Sequence, residues 1–230
     1  MLDRLLDLIA PVTCAFCEAE DEGVPVCSRC LAILPWIGDG CHRCGRELSP
    51  AGATCGECQR SPPAWQRARA AARYEFPIDA ALIELKFRRK LHYAPAFASL
   101  LAPLVTRNFA GCDALVPVPL HRLRLARRGY NQAEELCRPL GRATGLPVLM
   151  QARRTRPTKA QSGLEAAERR RNLRNAFAVR GPLEARYPLV VDDVITTGST
   201  AGELATALLA AGAEKVGVIA VARSSGSLKV

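Results

Sequence analysis

From residue 68 onward the apolar residues of this chain alternate between short runs that suit strands and 3.6-residue patterns that suit helices. The stretch ARAAARYEF (68–76) reads as a strand. Residues 78–90 read as a helix, with Leu82, Ile83, Leu85 and Phe87 on or near its apolar face. A second helix is expected over 93–108, although Pro95 and Pro103 disturb its start and interior. DALVPV (113–118) is a second apolar strand. Asn131 then caps a helix, with Glu134 at the capping-box position and Ala133, Leu136, Cys137 and Leu140 turned inward. Further strands are expected at 175–179, 187–191 and 215–223. Another helix opens at Thr200, with Glu203 three residues on completing a capping box. Ahead of residue 60 this rhythm is missing, and Pro62, Pro63 and Trp65 mark a linker at about 60–66.

The chemistry concentrates where the strand at 187–191 ends, in VVDDVITTGST (190–200). A buried strand seldom runs into two adjacent carboxylates without a ligand to satisfy them. Asp192 and Asp193 can accept hydrogen bonds from vicinal sugar hydroxyls. Thr196, Thr197, Gly198, Ser199 and Thr200 supply amides, hydroxyls and a helix N-terminus suited to a phosphate. The loop is neither a Walker loop, since no Gly-Lys-Ser/Thr follows the glycine, nor a GxGxxG fingerprint. A sugar phosphate is the expected occupant.

Eight of the ten cysteines form four CxxC pairs before residue 60: Cys14/Cys17, Cys27/Cys30, Cys41/Cys44 and Cys55/Cys58. Each pair makes a knuckle that turns two sulfurs toward one point, and two knuckles complete a tetrahedral thiolate site suited to zinc. The repeat of long and short knuckles suggests two successive ribbons, 14/17/27/30 and 41/44/55/58, with an interleaved cross-brace as the alternative that spacing alone does not exclude. Four thiolates per metal leave no open position, so both sites read as structural. His42 lies inside a knuckle and reads as a side chain of it, and Cys112 and Cys137 as small apolar residues.

Charge separates the two parts of the chain. Residues 1–65 hold 5 Lys/Arg against 9 Asp/Glu, whereas residues 121–180 hold 15 against 4. Such a basic region attracts polyphosphates or nucleic acid. Arg122, Arg124, Arg127 and Arg128 crowd into a loop after the strand at 113–118, where guanidinium forks would clamp a pyrophosphate. At 5% aromatic residues the chain offers few stacking platforms for bases, and Tyr130 is the obvious candidate. Residues 151–175 are polar and basic, with a helix expected near 164–172. No segment reaches the roughly 18–20 apolar residues of a membrane span. The N-terminal MLDRLLDLIAP reads as a short amphipathic helix and not a signal peptide, so a cytoplasmic protein with reduced cysteines is expected.

The order of these segments resembles the ComF family of late-competence and GntX-like proteins. The resemblance rests on the cysteine array, RYEFPIDAALIELKF (73–87), VPVPLHRLRLARRGYNQAEEL (116–136), TRPTKAQSGLEAAERRRNLRNAF (155–177) and VVDDVITTGST. It implies an α/β fold: a type I phosphoribosyltransferase-like parallel sheet flanked by helices (66–230), with a small N-terminal double zinc-ribbon domain (1–62). It also implies phosphoribosyl pyrophosphate and Mg as ligands and a link to DNA uptake. By position, Asp192 and Asp193 would hold the ribose, Thr196 to Thr200 the 5-phosphate, and Arg122, Arg124, Arg127 and Arg128 the pyrophosphate. A mobile loop would contain Arg154, Thr158, Lys159 and Gln161. Three classes of function fit: phosphoribosyl transfer, a non-catalytic ligand sensor that engages single-stranded DNA, and an adaptor whose acidic zinc ribbon docks a helicase or other competence protein.

Overall fold

A computed structural model of the chain describes residues 13–20, 23–38, 40–48, 53–156 and 175–224. The helices expected at the N-terminus and near 164–172 lie outside those residues. The central sheet has four strands in the order β1 (Arg67–Arg73), β6 (Gly217–Arg223), β5 (Pro188–Ile195), β2 (Ala114–Pro117), all parallel. Parallel neighbours need crossovers, and helices supply them: α3 (Ile78–Phe87) and α4 (Tyr93–Asn108) follow β1, α6 (Gln132–Thr144) follows β2, and α7 (Ser199–Ala210) follows β5. The expected parallel α/β sheet is therefore present.

Strand alternation sends side chains to two cores. Leu189, Val191, Ile219 and Val221 meet Leu82, Leu85, Phe97, Leu101, Leu136 and Leu140 on one face. Val190, Val218 and Ala220 meet Ala201, Leu204 and Leu208 of α7 on the other. Close approach shows at Gly217, where an added Cβ would lie 2.8 Å from Phe109 and 2.9 Å from Leu189. A short antiparallel pair, β3 (Ala152–Arg154) with β4 (Phe177–Val179), stands beside the main sheet.

The cysteine-rich segment, with its two short helices α1 (Ser28–Ile33) and α2 (Gly56–Arg60), clasps the β1 edge. Arg73 N–H donates to Pro35 O at 2.7 Å, Ile37 N–H to Ala71 O at 3.2 Å, and Ala68 N–H to Arg43 O at 2.8 Å. Cys14, Cys27 and Cys30 join the first core, whereas Cys41, Cys44, Cys55 and Cys58 join the second. One cysteine cluster thus sits on each face of the sheet. Trp65, expected in a linker, is buried.

Candidate functional site

β5 outruns its neighbour. Val118 N–H still bonds Val191 O at 3.0 Å, but β2 has ended at Pro117, so residues 192–195 are paired only with β6. Asp192 and Asp193 are therefore inside the strand and not in a loop beyond it, correcting the end expected at Val191. Losing β2 as a neighbour opens the strand on that side, and both acids line a cavity of 320 Å³. Thr196, Gly198, Ser199 and Thr200 form another wall. Thr197 ties the turn together, its hydroxyl 2.8 Å from that of Ser199.

The helix after this loop starts two residues earlier than the capping box predicts. Gly198, at φ 77°, occupies the N-cap position, and Ser199 is the first helical residue. Such a φ suits glycine because it carries no Cβ. Glu203 instead accepts a hydrogen bond from Asn175 N–H at 3.2 Å.

The arginine-rich stretch is a helix, α5 (Arg122–Arg128), not a loop. His121 caps it, Nδ1 accepting from Leu123 N–H at 3.3 Å, and Gly129 closes it at φ 84°. Residues four apart share a helix face, so Arg124 and Arg128 reach the cavity together. Arg122 and Arg127 are exposed and do not line it. Arg154, on β3, is buried and completes the cationic wall. Thr158, Lys159 and Gln161 lie outside the described residues. Tyr130 is no stacking platform, because it is buried and its hydroxyl donates to Leu85 O.

Three contributors escape the sequence reading. Lys86 Nζ lies 2.5 Å from Asp193 Oδ2, a pairing that spans α3 and β5. Ile83 and Phe87, expected near the inward face of α3, line the cavity and are 40% and 67% exposed. Arg128 stacks over the Phe87 ring at 5.2 Å and donates to Gln132 Oε1 at 2.5 Å. The available signal is that Ile83, Lys86 and Phe87 share a helix face distinct from that of Ile78, Leu82 and Leu85.

The electrostatics are those of a site short of anionic charge. Burial pushes Asp192 up to about 6, against the pull of Lys86 and Arg154. Burial likewise brings Lys86 down to about 8, with Asp192 resisting and Arg128 assisting. Arg154 falls to about 10 through burial and the nearby Arg124, offset by Asp192. Lys86, Arg124, Arg128 and Arg154 face two carboxylates, so the cavity favours an anion.

The cysteines pair sequentially, Cys14/Cys17/Cys27/Cys30 and Cys41/Cys44/Cys55/Cys58, with the sulfurs of each group within 4.8 Å of one another. Tetrahedral zinc with Zn–S of about 2.3 Å needs S···S separations of about 3.8 Å. Cys17 and Cys27 are 3.7 Å apart, and Cys44 and Cys55 3.8 Å. Burial raises Cys14, yet N–H groups of Cys27, Cys17 and Phe16 outweigh it and bring it to about 6. Cys41 reaches about 6 the same way, through Cys55, Cys44 and Arg43. Burial and their sulfur neighbours push Cys30 and Cys58 upward, so four thiolates need a dication to coexist. A further fit is Arg223, buried beside Cys44, Cys55 and Cys58, whose Nε and Nη1 find no hydrogen-bond partner among the described residues. A zinc tetrathiolate carries a net charge of about −2 and would accept those donors. Cys137 is fully buried and Cys112 partly so, both packed as apolar residues.

Residues 5–59 match the family model of a double zinc ribbon domain. The chain is 38% identical over 205 residues to the DNA utilization protein YhgH of Escherichia coli K12, covering 86% of this chain and 90% of that protein. The chain belongs to the ComF/YhgH family. That family joins an N-terminal double zinc ribbon to a phosphoribosyltransferase-like domain. Competence protein F of Haemophilus influenzae is 34% identical over 207 residues, 86% of this chain and 89% of that one. Among solved structures, a glutamine phosphoribosylpyrophosphate amidotransferase of B. subtilis overlaps 60% of this chain and 30% of its own, at 19% identity and a TM-score of 0.40. An overlap of that extent carries no argument about chemistry. Among the described residues no helix is long and apolar enough to cross a membrane.

Proposed function

We propose that this ComF/YhgH member binds phosphoribosyl pyrophosphate with magnesium in the β5–α7 cleft, as a phosphoribosyltransferase-like protein serving DNA uptake. The observation that supports it best is one cavity lined by Asp192, Asp193, Thr196, Gly198, Ser199, Thr200 and four cationic side chains. In this reading Asp192 and Asp193 accept the ribose hydroxyls, and the turn with the α7 N-terminus holds the 5-phosphate. Lys86, Arg124, Arg128 and Arg154 hold the pyrophosphate. Magnesium, when bound, would neutralise phosphate oxygens. A ribose entering between the acids displaces Lys86 from Asp193 and releases its ammonium toward the phosphates. Transfer would break the C1–O bond to pyrophosphate, with positioning and charge as the protein's contribution. The chain then divides into a ribbon (1–62) and a ligand-binding part (66–230).

A second reading, single-stranded DNA binding, is supported by the exposed Phe87 ring with Arg128 stacked on it at the cavity mouth. The deciding experiment pairs calorimetry of phosphoribosyl pyrophosphate with magnesium against pyrophosphate release over a panel of nucleobases. Base-dependent release lost in Asp192→Asn/Asp193→Asn supports an enzyme. Binding without release supports a sensor. No binding by the unaltered, zinc-loaded protein refutes the proposal.

A further inference from the structure

Trp65 joins the second cysteine cluster to the turn at 196–200. Trp65 is 5% exposed and packs in the core that contains Cys41, Cys44, Cys55 and Cys58 on one side and Ile195, Ala201 and Leu204 on the other. Its indole Nε1–H donates to Arg43 O at 2.8 Å, and Arg43 is one of the two residues between Cys41 and Cys44 within their knuckle. Arg43 Nη1 donates back to Trp65 O at 3.4 Å. The far edge of the same ring lies against Gly198, where an added Cβ would sit 2.6 Å from Cη2 and 3.3 Å from Cζ2. Gly202, one turn along α7, would place its Cβ 3.4 Å from Cζ3.

Arg223 gives a second connection between the same two places. It ends β6, pairs across to Ile195 on the cavity wall, and lies beside the Cys44, Cys55 and Cys58 sulfurs. Ser224 N–H donates to Ile195 O at 3.0 Å, fixing that strand end. Among the described residues the first cluster has no such route, since Cys14, Cys27 and Cys30 pack in the core on the opposite face of the sheet.

We propose that Trp65 is a positioning residue that seats the Gly198 turn on the second cysteine cluster, so that order in the turn depends on that metal site and not on the first. The inference rests on the proposed function only for what the turn binds. Mechanically, the indole is a rigid plate held by the Arg43 knuckle, and Gly198 is the residue on which it bears. A smaller side chain at 65 leaves the turn without support on that side. The turn's φ of 77° and its exposed hydroxyls then have one fewer constraint on their position.

The test uses the full-length, zinc-loaded protein with Trp65→Leu, Trp65→Phe, Gly198→Ala and the Trp65→Leu/Gly198→Ala double variant. Zinc content is measured for each, and backbone hydrogen exchange is followed over residues 195–202. Trp65→Leu is expected to retain its zinc and to raise exchange in the turn about tenfold, with weaker binding of phosphoribosyl pyrophosphate and magnesium by a similar factor. Trp65→Phe keeps a ring but loses the bond to Arg43, and falls between the two. The Gly198→Ala effect is expected to shrink in the Trp65→Leu background, because the clash with the indole is gone and only the backbone strain remains. Unchanged exchange in zinc-loaded Trp65→Leu and Trp65→Phe, or fully additive effects in the double variant, overturns the proposal. If the unaltered protein binds no phosphoribosyl pyrophosphate, the proposed function fails while the exchange measurements still decide the role of Trp65.

Discussion

Replacing Asp192 by asparagine is expected to stabilise the protein near neutral pH while removing its ligand. Burial holds the Asp192 carboxyl at about 6 instead of 3.8. At pH 7.5 it is ionised in both folded and unfolded chains, so folding must desolvate a charge, at a cost of about 3 kcal/mol. The sign follows from the raised value. The favourable contribution of the neutral acid is fully present below about 4, and it disappears as pH rises through about 6. Asparagine keeps the neutral form's shape at every pH. Part of the gain is returned, since Lys86 loses the attraction of Asp192 and is itself costly to bury. The net expectation is about 1–3 kcal/mol, or a rise in Tm of roughly 3–10 °C for a chain of this size. Calorimetry at pH 7.5 and pH 5 checks it, because pH 5 lies between the unfolded and folded values and the advantage should there have fallen to about half, vanishing only below about 4. A variant less stable than the parent at pH 7.5, or one with the same shift at both pH values, refutes the reasoning.

Ligand affinity is expected to peak between the values of Asp192 and Lys86, about 6 and about 8. Below that window the acid no longer accepts from ribose as an anion, and above it the amine loses its charge; titration calorimetry across pH 5–9 (roughly this span) would show a monotonic trend if the idea is wrong. Asn131→Ala removes the α6 cap and leaves Val118 O without the donor now at 3.1 Å, for a loss of about 2–3 kcal/mol in chemical denaturation. Phe97→Ala empties the place where Phe97 meets Tyr93 at 5.9 Å and Phe16 at 6.3 Å, for a loss of about 3–5 kcal/mol.

What could be read from the sequence was local. Each CxxC pair is its own geometric statement, and the Asp192–Thr200 segment carries its donors and acceptors side by side. Lys86 and Phe87 were hidden because an amphipathic pattern does not say which apolar residues face the core. Ile83 and Phe87 are as apolar as Leu82 and Leu85, yet only the packing of α3 against β5 sends them to the cavity. The arginine helix was hidden for a related reason. RLRLARR has no buried residue, so hydrophobic periodicity had little to report. Tyr130 misled in the opposite direction, since it was expected as a stacking ring at the surface where the fold needed a buried one. Cap positions were closer: Asn131 serves as expected, whereas Gly198 displaces Thr200 because the turn needs a positive φ there.

The clasp on β1 also governs how the protein meets other copies of itself. The opposite edge of the sheet is covered by the 147–149 segment, where Leu115 N–H bonds Pro147 O at 2.8 Å and Leu149 N–H bonds Leu115 O at 2.8 Å. The β1 edge is covered by Pro35, Trp36, Ile37 and Arg43, the first three lying between the two cysteine clusters and Arg43 inside the Cys41/Cys44 knuckle. A chain short of zinc is expected to lose that cover and to present the outer edge of β1, RARAAAR, as a template for association. Metal supply would then set the amount of usable protein through aggregation, before any question of binding or turnover arises.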